Sequence, residues 1–238
     1  MKILKYLLIV LVCIVVVGAL VLGYLGLLPG VASVFGSNKP RDLGVSYSDQ
    51  DATAAFGISG VAQATLPSST PAQTSIQYTG THALTASFSQ EQISALVNEQ
   101  QWKYYPVQAA QIKFNTDGTV EFSGLLLKDR LSGYTQAMGG SAIDVSGATK
   151  YIAGNPPIYI KGKAEVVNNV FTVFDIQKAE VGRLDVTKYA TKYRSDVMSY
   201  VTDRIQFVPG LEVTSAKIEG GKFLFDGSLY DTKATVDE

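Results

Sequence analysis

An unbroken apolar run dominates the N-terminal part of the hydrophobic pattern. Residues 6–28 carry no charged side chain. As a helix rising about 1.5 Å per residue they would reach about 34 Å, enough for a hydrocarbon core of about 30 Å. Lys2 and Lys5 precede the run, which by the positive-inside rule keeps the N-terminus in the cytoplasm. We therefore expect an uncleaved single-pass anchor. A cleavable signal peptide is the alternative, because Val31-Ala32-Ser33 offers small residues of the right kind.

This interpretation divides the chain into three parts. Residues 1–29 are the cytoplasmic N-terminus and transmembrane anchor, and residues 30–42, rich in Gly, Ser, Asn and Pro, are a juxtamembrane linker. Residues 43–238 are an extracytoplasmic domain. The predicted location is the cell membrane, with the bulk of the chain outside the cytoplasm.

Capping signals and alternation predict the first elements of that domain. Ser48 with Asp51, and Ser89 with Gln92, form capping boxes that predict two short helices. Between them, apolar residues alternate with polar ones in 76–78 and 84–88, which is typical of half-buried strands.

Three β-hairpins follow, each around residues that suit a tight turn. The turns are Asp117-Gly118, Asn168-Asn169 and Gly220-Gly221. The flanking strands are 107–116 and 119–127, 157–167 and 170–181, and 211–219 and 222–230. These segments predict an α+β domain, in which helices pack on a twisted sheet of antiparallel hairpins.

The longest predicted helix covers residues 187–207. Its apolar side chains recur every four residues and drift slowly along one side. They are Tyr189, Tyr193, Val197, Val201 and Ile205. We expect this helix to lie along the sheet, with Val197 and Val201 almost fully buried.

An internal repeat links the first and third hairpins. At an offset of 104, five apolar positions of the first unit match positions of the second. They are Ile93, Val97, Val107, Ile112 and Phe114, matching Val197, Val201, Leu211, Ala216 and Ile218. Beyond the turn, Phe122-x-Gly124-x-Leu126 matches Phe225-x-Gly227-x-Leu229 at an offset of 103. We expect a helix–hairpin duplication, the alternative being two units alike only in composition.

The composition and charge of the chain exclude several classes of function. Only 17% of residues are charged, against about 25% in an ordinary soluble domain. The net charge of −1 lacks the basic surplus that nucleic-acid binding needs. The single Cys excludes an intrachain disulfide, and the single His excludes a multi-histidine metal site. Without a phosphate loop or a G-x-S-x-G motif, we expect no enzyme, catalytic residue, metal or cofactor, and no catalytic role for His82.

Several strands are apolar on both faces, as in 125–127 and 223–225. One interpretation is a sheet covered by other layers on both sides. The other is a curved sheet that wraps a long helix and encloses an apolar groove for a lipid chain. The candidate groove residues are Trp102, Tyr105, Phe122, Leu126, Tyr189, Tyr193 and Phe225.

Three stretches carry a resemblance to known proteins. The opening KPRDLGVSYSDQDATAAF and the closing GGKFLFDGSLYD resemble a group of uncharacterised bacterial single-span envelope proteins. The pattern S-x-x-Q-I-x-x-L-V-N at 89–98 is similar to tubular lipid-binding (TULIP-like) envelope proteins. In the latter a groove between a twisted sheet and a long helix holds lipid, so the resemblance implies lipid binding.

The leading functional hypothesis is a non-enzymatic, membrane-anchored protein that binds a lipid or another apolar ligand. The alternative is a scaffold or accessory subunit that uses the same apolar faces to hold an envelope protein partner. An enzyme ranks third, since no motif supports one.

Overall fold

A computed structural model of the chain describes residues 2–25, 28–139 and 154–238; for residues 2–11 and Pro29 it describes the backbone alone. Part of the predicted span 6–28 thus lies outside the described residues. The described helices are α1 (Lys2–Tyr24), α2 (Pro29–Ala32), α3 (Asp49–Ser59), α4 (Gln90–Asn98), α5 (Leu131–Ala137), α6 (Thr187–Lys192) and α7 (Arg194–Phe207). The described strands are β1 (Ala62–Thr65), β2 (Ile76–Thr79), β3 (His82–Phe88), β4 (Val107–Phe114), β5 (Val120–Leu126), β6 (Pro157–Val167), β7 (Val170–Val181), β8 (Leu184–Asp185), β9 (Glu212–Glu219), β10 (Lys222–Leu229) and β11 (Thr232–Thr235).

The described strands form two sheets. The small sheet has the order β1-β11-β2, with β11 parallel to β1 and antiparallel to β2. The large, curled sheet is antiparallel and runs β3-β10-β9-β6-β5-β4, with β7 on the other edge of β6 and β8 on β7. The α+β class and the antiparallel hairpins are confirmed.

Local signals locate the elements well. Both predicted capping boxes are present, at the N-termini of α3 and α4. The strand β3 alternates between half-buried and exposed residues, as expected. In the second hairpin Asn168 and Asn169 both have positive φ, the conformation that a two-residue hairpin turn requires.

The repeat between the first and third hairpins extends to a β-bulge. Ala109 and Ala110 together oppose Gly124, and at the repeat's offsets Val213 and Thr214 oppose Gly227. A Cβ at Gly227 would overlap the carbonyl oxygen of Glu212, so this position needs glycine.

The packing of the two hairpins does not repeat. The first joins β6 through its second strand, β5, whereas the third joins β6 through its first strand, β9. The helix α4 is hydrogen-bonded to β4, whereas the main sheet contacts of α7 are with β7 and β9. The predicted common pose of helix and hairpin is therefore not observed.

The free edge of β4 is closed by three polar side chains of α4, spaced four residues apart. Gln90 Oε1 accepts from the Phe114 N–H at 3.2 Å, and Ser94 Oγ accepts from the Ile112 N–H at 2.9 Å. Asn98 bonds both backbone groups of Ala110, at 2.8 and 2.9 Å. The rise of about one turn of α4 thus equals the length of about two residues of β4. The backbone groups on this edge of β4 are therefore hydrogen-bonded without another strand.

The expectation for residues 187–207 is wrong in two respects. The helix is interrupted at Tyr193, whose φ of −98° and ψ of 19° separate α6 from α7. No residue of α7 is buried, and Val197 is 39% exposed. Only the end of α7 reaches the core, where Ile205 packs against Val213 and Phe225. Most of the stripe, from Tyr189 to Val197, is therefore not covered by another layer.

The C-terminal end of α1 is attached to the folded domain. Ser37 Oγ donates to the Gly23 carbonyl at 2.5 Å, and the Arg183 N–H donates to the Leu25 carbonyl at 2.8 Å. The Arg183 guanidinium also lies 4.7 Å from the centre of the Tyr24 ring. Among the described residues, no helix has both the length and the apolar character required to cross a bilayer. The transmembrane role of α1 stays a prediction.

Removal of the Ser94 hydroxyl should destabilise the domain. Ser94→Ala leaves the Ile112 N–H without a partner at a site where Ser94 is fully buried, which should cost about 1–3 kcal/mol. Urea unfolding of the full chain in detergent measures this. The control is Ser199→Ala on the exposed side of α7, which should change the unfolding free energy by less than about 0.5 kcal/mol. Equal losses in both variants would show that the edge contact contributes nothing.

Candidate functional site

An apolar cleft lies between α3, α4 and the β3–β10 pair. Its volume is about 290 Å³, close to the lower end of the range for small-molecule sites. Its walls are formed by Phe56, Ser59, Val61, Gln63, Leu84, Phe88, Ile93, Leu96, Gln100, Phe223, Phe225, Leu229, Tyr230 and Lys233. Most of these side chains are aliphatic or aromatic, so the cleft can accept an apolar group.

Two periodicities bring these side chains together. Ile93 and Leu96 are three residues apart on α4, on a different side from the polar residues that bond β4. Phe223 and Phe225 alternate on β10 and so share one face of the sheet. The register of β10 with β3 sets Phe225 opposite Ala86, beside Leu84 and Phe88.

Lys233 is the charged residue in this wall. It lies on β11, is half-buried, and its ammonium donates to Gln100 Oε1. It forms no salt bridge with any carboxylate of the described residues. Burial disfavours the charged form and lowers the pKa of Lys233 to about 8, while the more distant Asp237 carboxylate opposes that shift.

A smaller polar cavity of about 160 Å³ adjoins the cleft on the other side of Lys233. Phe56, Gln63 and Lys233 line both spaces, so they form the partition. Glu99 and Asp237 line the polar cavity but not the cleft. Lys233 thus lies at the junction between an apolar space and a polar one.

Of the seven predicted groove residues, only Phe225 lines the cleft. Trp102 is 2% exposed; its ring contacts those of Tyr104 and Tyr134, and its Nε1 donates to Ser75 Oγ at 3.0 Å. Tyr105 lies in the same region, and burial raises its pKa. These two aromatic residues stabilise the fold.

The other four predicted residues lie elsewhere. Phe122 and Leu126 are on β5, separated from β10 by β9 and β6. Tyr189 and Tyr193 are 69% and 50% exposed on the outer side of the helical segment. The structure therefore does not bring the predicted set together.

His82 acts as a structural link. Its Nδ1 lies 2.8 Å from Asp231 Oδ1 and its Nε2 lies 2.8 Å from the Ser59 carbonyl oxygen. The hydrogen bond to Asp231 is the main reason that the pKa of His82 is raised. Because both ring nitrogens have partners, neither faces a serine or cysteine nucleophile in the way that a catalytic triad requires.

Among the described residues, no group of three or more His, Cys, Asp or Glu side chains could hold a metal ion. Comparison of the chain with protein-family models, curated proteins and solved structures gives no match.

Sequence reasoning missed most of the cleft. The alternation of Phe223 and Phe225 and the common face of Ile93 and Leu96 were visible signals. For Lys233 no local signal exists, because Thr232 and Ala234 beside it are ordinary strand residues. Its burial depends on β11 inserting between β1 and β2.

Lys233→Met should stabilise the protein at neutral pH. At pH 6 the wild type keeps a charged ammonium partly buried, so the variant should gain on the order of 2 kcal/mol. Between about pH 8 and pH 10.5 the folded wild type has lost a proton that the unfolded chain retains, and its stability rises. The difference between the two proteins should therefore shrink over that interval.

Urea unfolding of the full chain at several pH values measures this difference. Lys222→Met, at an exposed position of β10, is the matched control and should show a small difference independent of pH. A wild type and a Lys233→Met variant that unfold alike from pH 6 to pH 10 would contradict the buried charge.

Proposed function

We propose that this protein is a membrane-anchored, extracytoplasmic binding protein that holds a lipid or another apolar ligand in the cleft. The observation that carries the proposal is the cleft of about 290 Å³ with a mainly apolar lining between α4 and β10. One wall is α4, the segment whose sequence pattern resembles TULIP-like lipid-binding proteins. The proposal is non-enzymatic, since no described nucleophile of the lining is hydrogen-bonded to a side-chain base; the Ser59 hydroxyl, for example, donates to the Phe56 carbonyl.

The exposed apolar surface of α1 supports the membrane anchor. The described aliphatic residues from Val12 onwards are largely uncovered; Ile14 and Val15 are each 63% exposed. Each such side chain gains about 1.5–3 kcal/mol on leaving water, so a helix of this composition favours a bilayer. The two lysines at its start and the absence of charge in 6–28 support an N-terminus in the cytoplasm.

A second candidate function, a scaffold for a protein partner, is favoured by one observation. The outer side of α6 and α7 exposes large apolar side chains, which on soluble surfaces mark interaction sites. They are Tyr189, Tyr193, Val197, Tyr200 and Phe207. The two functions use different surfaces, so variants can separate them.

Filling the cleft should abolish binding of an apolar probe. Leu96→Trp places a larger ring in the space between α4 and β10, and the full chain in amphipol should then bind N-phenylnaphthylamine at least about tenfold more weakly. Fluorescence titration gives the dissociation constant, and circular dichroism checks that the variant is folded.

Tyr189→Trp is the control for that titration. It adds the same side chain at a position 69% exposed on α6, outside the cleft, and should leave probe binding unchanged. Loss of binding in Tyr189→Trp but not in Leu96→Trp would show that the probe binds on α6 and α7, and would favour the scaffold function.

Cysteine labelling tests the anchor. Cys13 is the only cysteine, so in a Cys13→Ala background each added thiol is a unique reporter. In intact spheroplasts, Ser199→Cys should react with a membrane-impermeant maleimide, whereas Lys2→Cys should react only after the membrane is permeabilised. Labelling of both, or of Lys2→Cys alone, would contradict the proposed topology.

A further inference from the structure

We infer that the ligand of the cleft is a single-chain amphiphile with an anionic head group, such as a long-chain carboxylate, and that the Lys233 ammonium is its counter-ion. The inference rests on the proposed function, since it names the class of ligand that the same cleft would take. It follows from the placement of one charge in an apolar wall.

The charge pattern of the cleft is asymmetric. Among the described residues, its lining contains one ammonium, that of Lys233, and no carboxylate. The amide oxygen of Gln100 accepts from this ammonium, but an amide dipole does not neutralise a charge. A half-buried cation without an ion-pair partner among the described carboxylates is costly, and an anion entering from the apolar side would offset that cost.

The geometry orients such a ligand. The apolar chain would lie against Phe223, Phe225 and Leu96, and the head group would reach the partition at Lys233. Tyr230 also lines the cleft and supplies a hydroxyl, whereas the Ser59 hydroxyl donates to the Phe56 carbonyl. The adjoining polar cavity lies beyond the partition, so the head group need not be fully removed from a polar environment.

Two carboxylates and two phenols among the described residues surround Lys233. The carboxylates are Glu99 and Asp237, which face it from the polar cavity. Tyr78, opposite Lys233 on β2, and Tyr230 both have a pKa raised mainly by burial. A change in carboxylate affinity between pH 7 and pH 10, measured relative to a neutral ligand, therefore reports Lys233.

The experiment compares three ligands that differ only in their head group. Decanoate, decanol and decylamine displace N-phenylnaphthylamine from the full chain in amphipol. At pH 7 decanoate should bind about tenfold more tightly than decanol, because a bound anion that raises the pKa of Lys233 by about one unit gains a tenfold factor in affinity. Decylamine should bind most weakly. Raising the pH to 10 should remove the advantage of decanoate while decanol binds as before.

Lys233→Met should equalise decanoate and decanol at pH 7, and Lys222→Met should keep the wild-type preference. Equal binding of decanoate and decanol to the wild type, or tighter binding of decylamine, would overturn the anionic head group and leave the apolar cleft in place. If none of the three ligands displaces the probe, the proposed function fails as well. The pH series on the wild type decides the matter even where a variant does not fold.

Discussion

The fit between α4 and the edge of β4 is the contact on which the rest of the domain depends. Gln90, Ser94 and Asn98 take the place of a neighbouring strand, and their bonds hold the helix in one register. A helix could pack against a sheet in many positions, but bonds at three successive turns allow only one. Because α4 follows β3 and precedes β4 in the chain, it connects the two end strands of the curled sheet.

That register also determines the cleft. With its polar side bonded to β4, α4 presents Ile93 and Leu96 to the space over β10. The same helix packs on α3, whose buried residues Ala52 and Ala55 are small enough for close approach. Without this edge contact, the backbone N–H groups of Ala110, Ile112 and Phe114 would lose their partners on α4.

Lys233 shows how a charge can be held in an apolar wall. It lies on a strand that is bonded on both edges, by β1 and β2, so the backbone cannot move the side chain outward without breaking the small sheet. The Lys233 ammonium donates a hydrogen bond to Gln100, and the adjoining polar cavity reduces its loss of solvation. Because the ammonium is still partly removed from water, the pKa of Lys233 is lowered.

The sequence by itself determined the features that depend on residues close together in the chain. Capping boxes act over three residues and hairpin turns over two, so the starts of α3 and α4 and the turn at Asn168-Asn169 were predictable. Tertiary structure alone decided the rest. Whether the stripe of α7 is covered, which strand of each repeated hairpin meets β6, and whether Lys233 is buried depend on pairing between distant strands. A local pattern cannot specify that pairing, because the same alternation of residues would suit any neighbour.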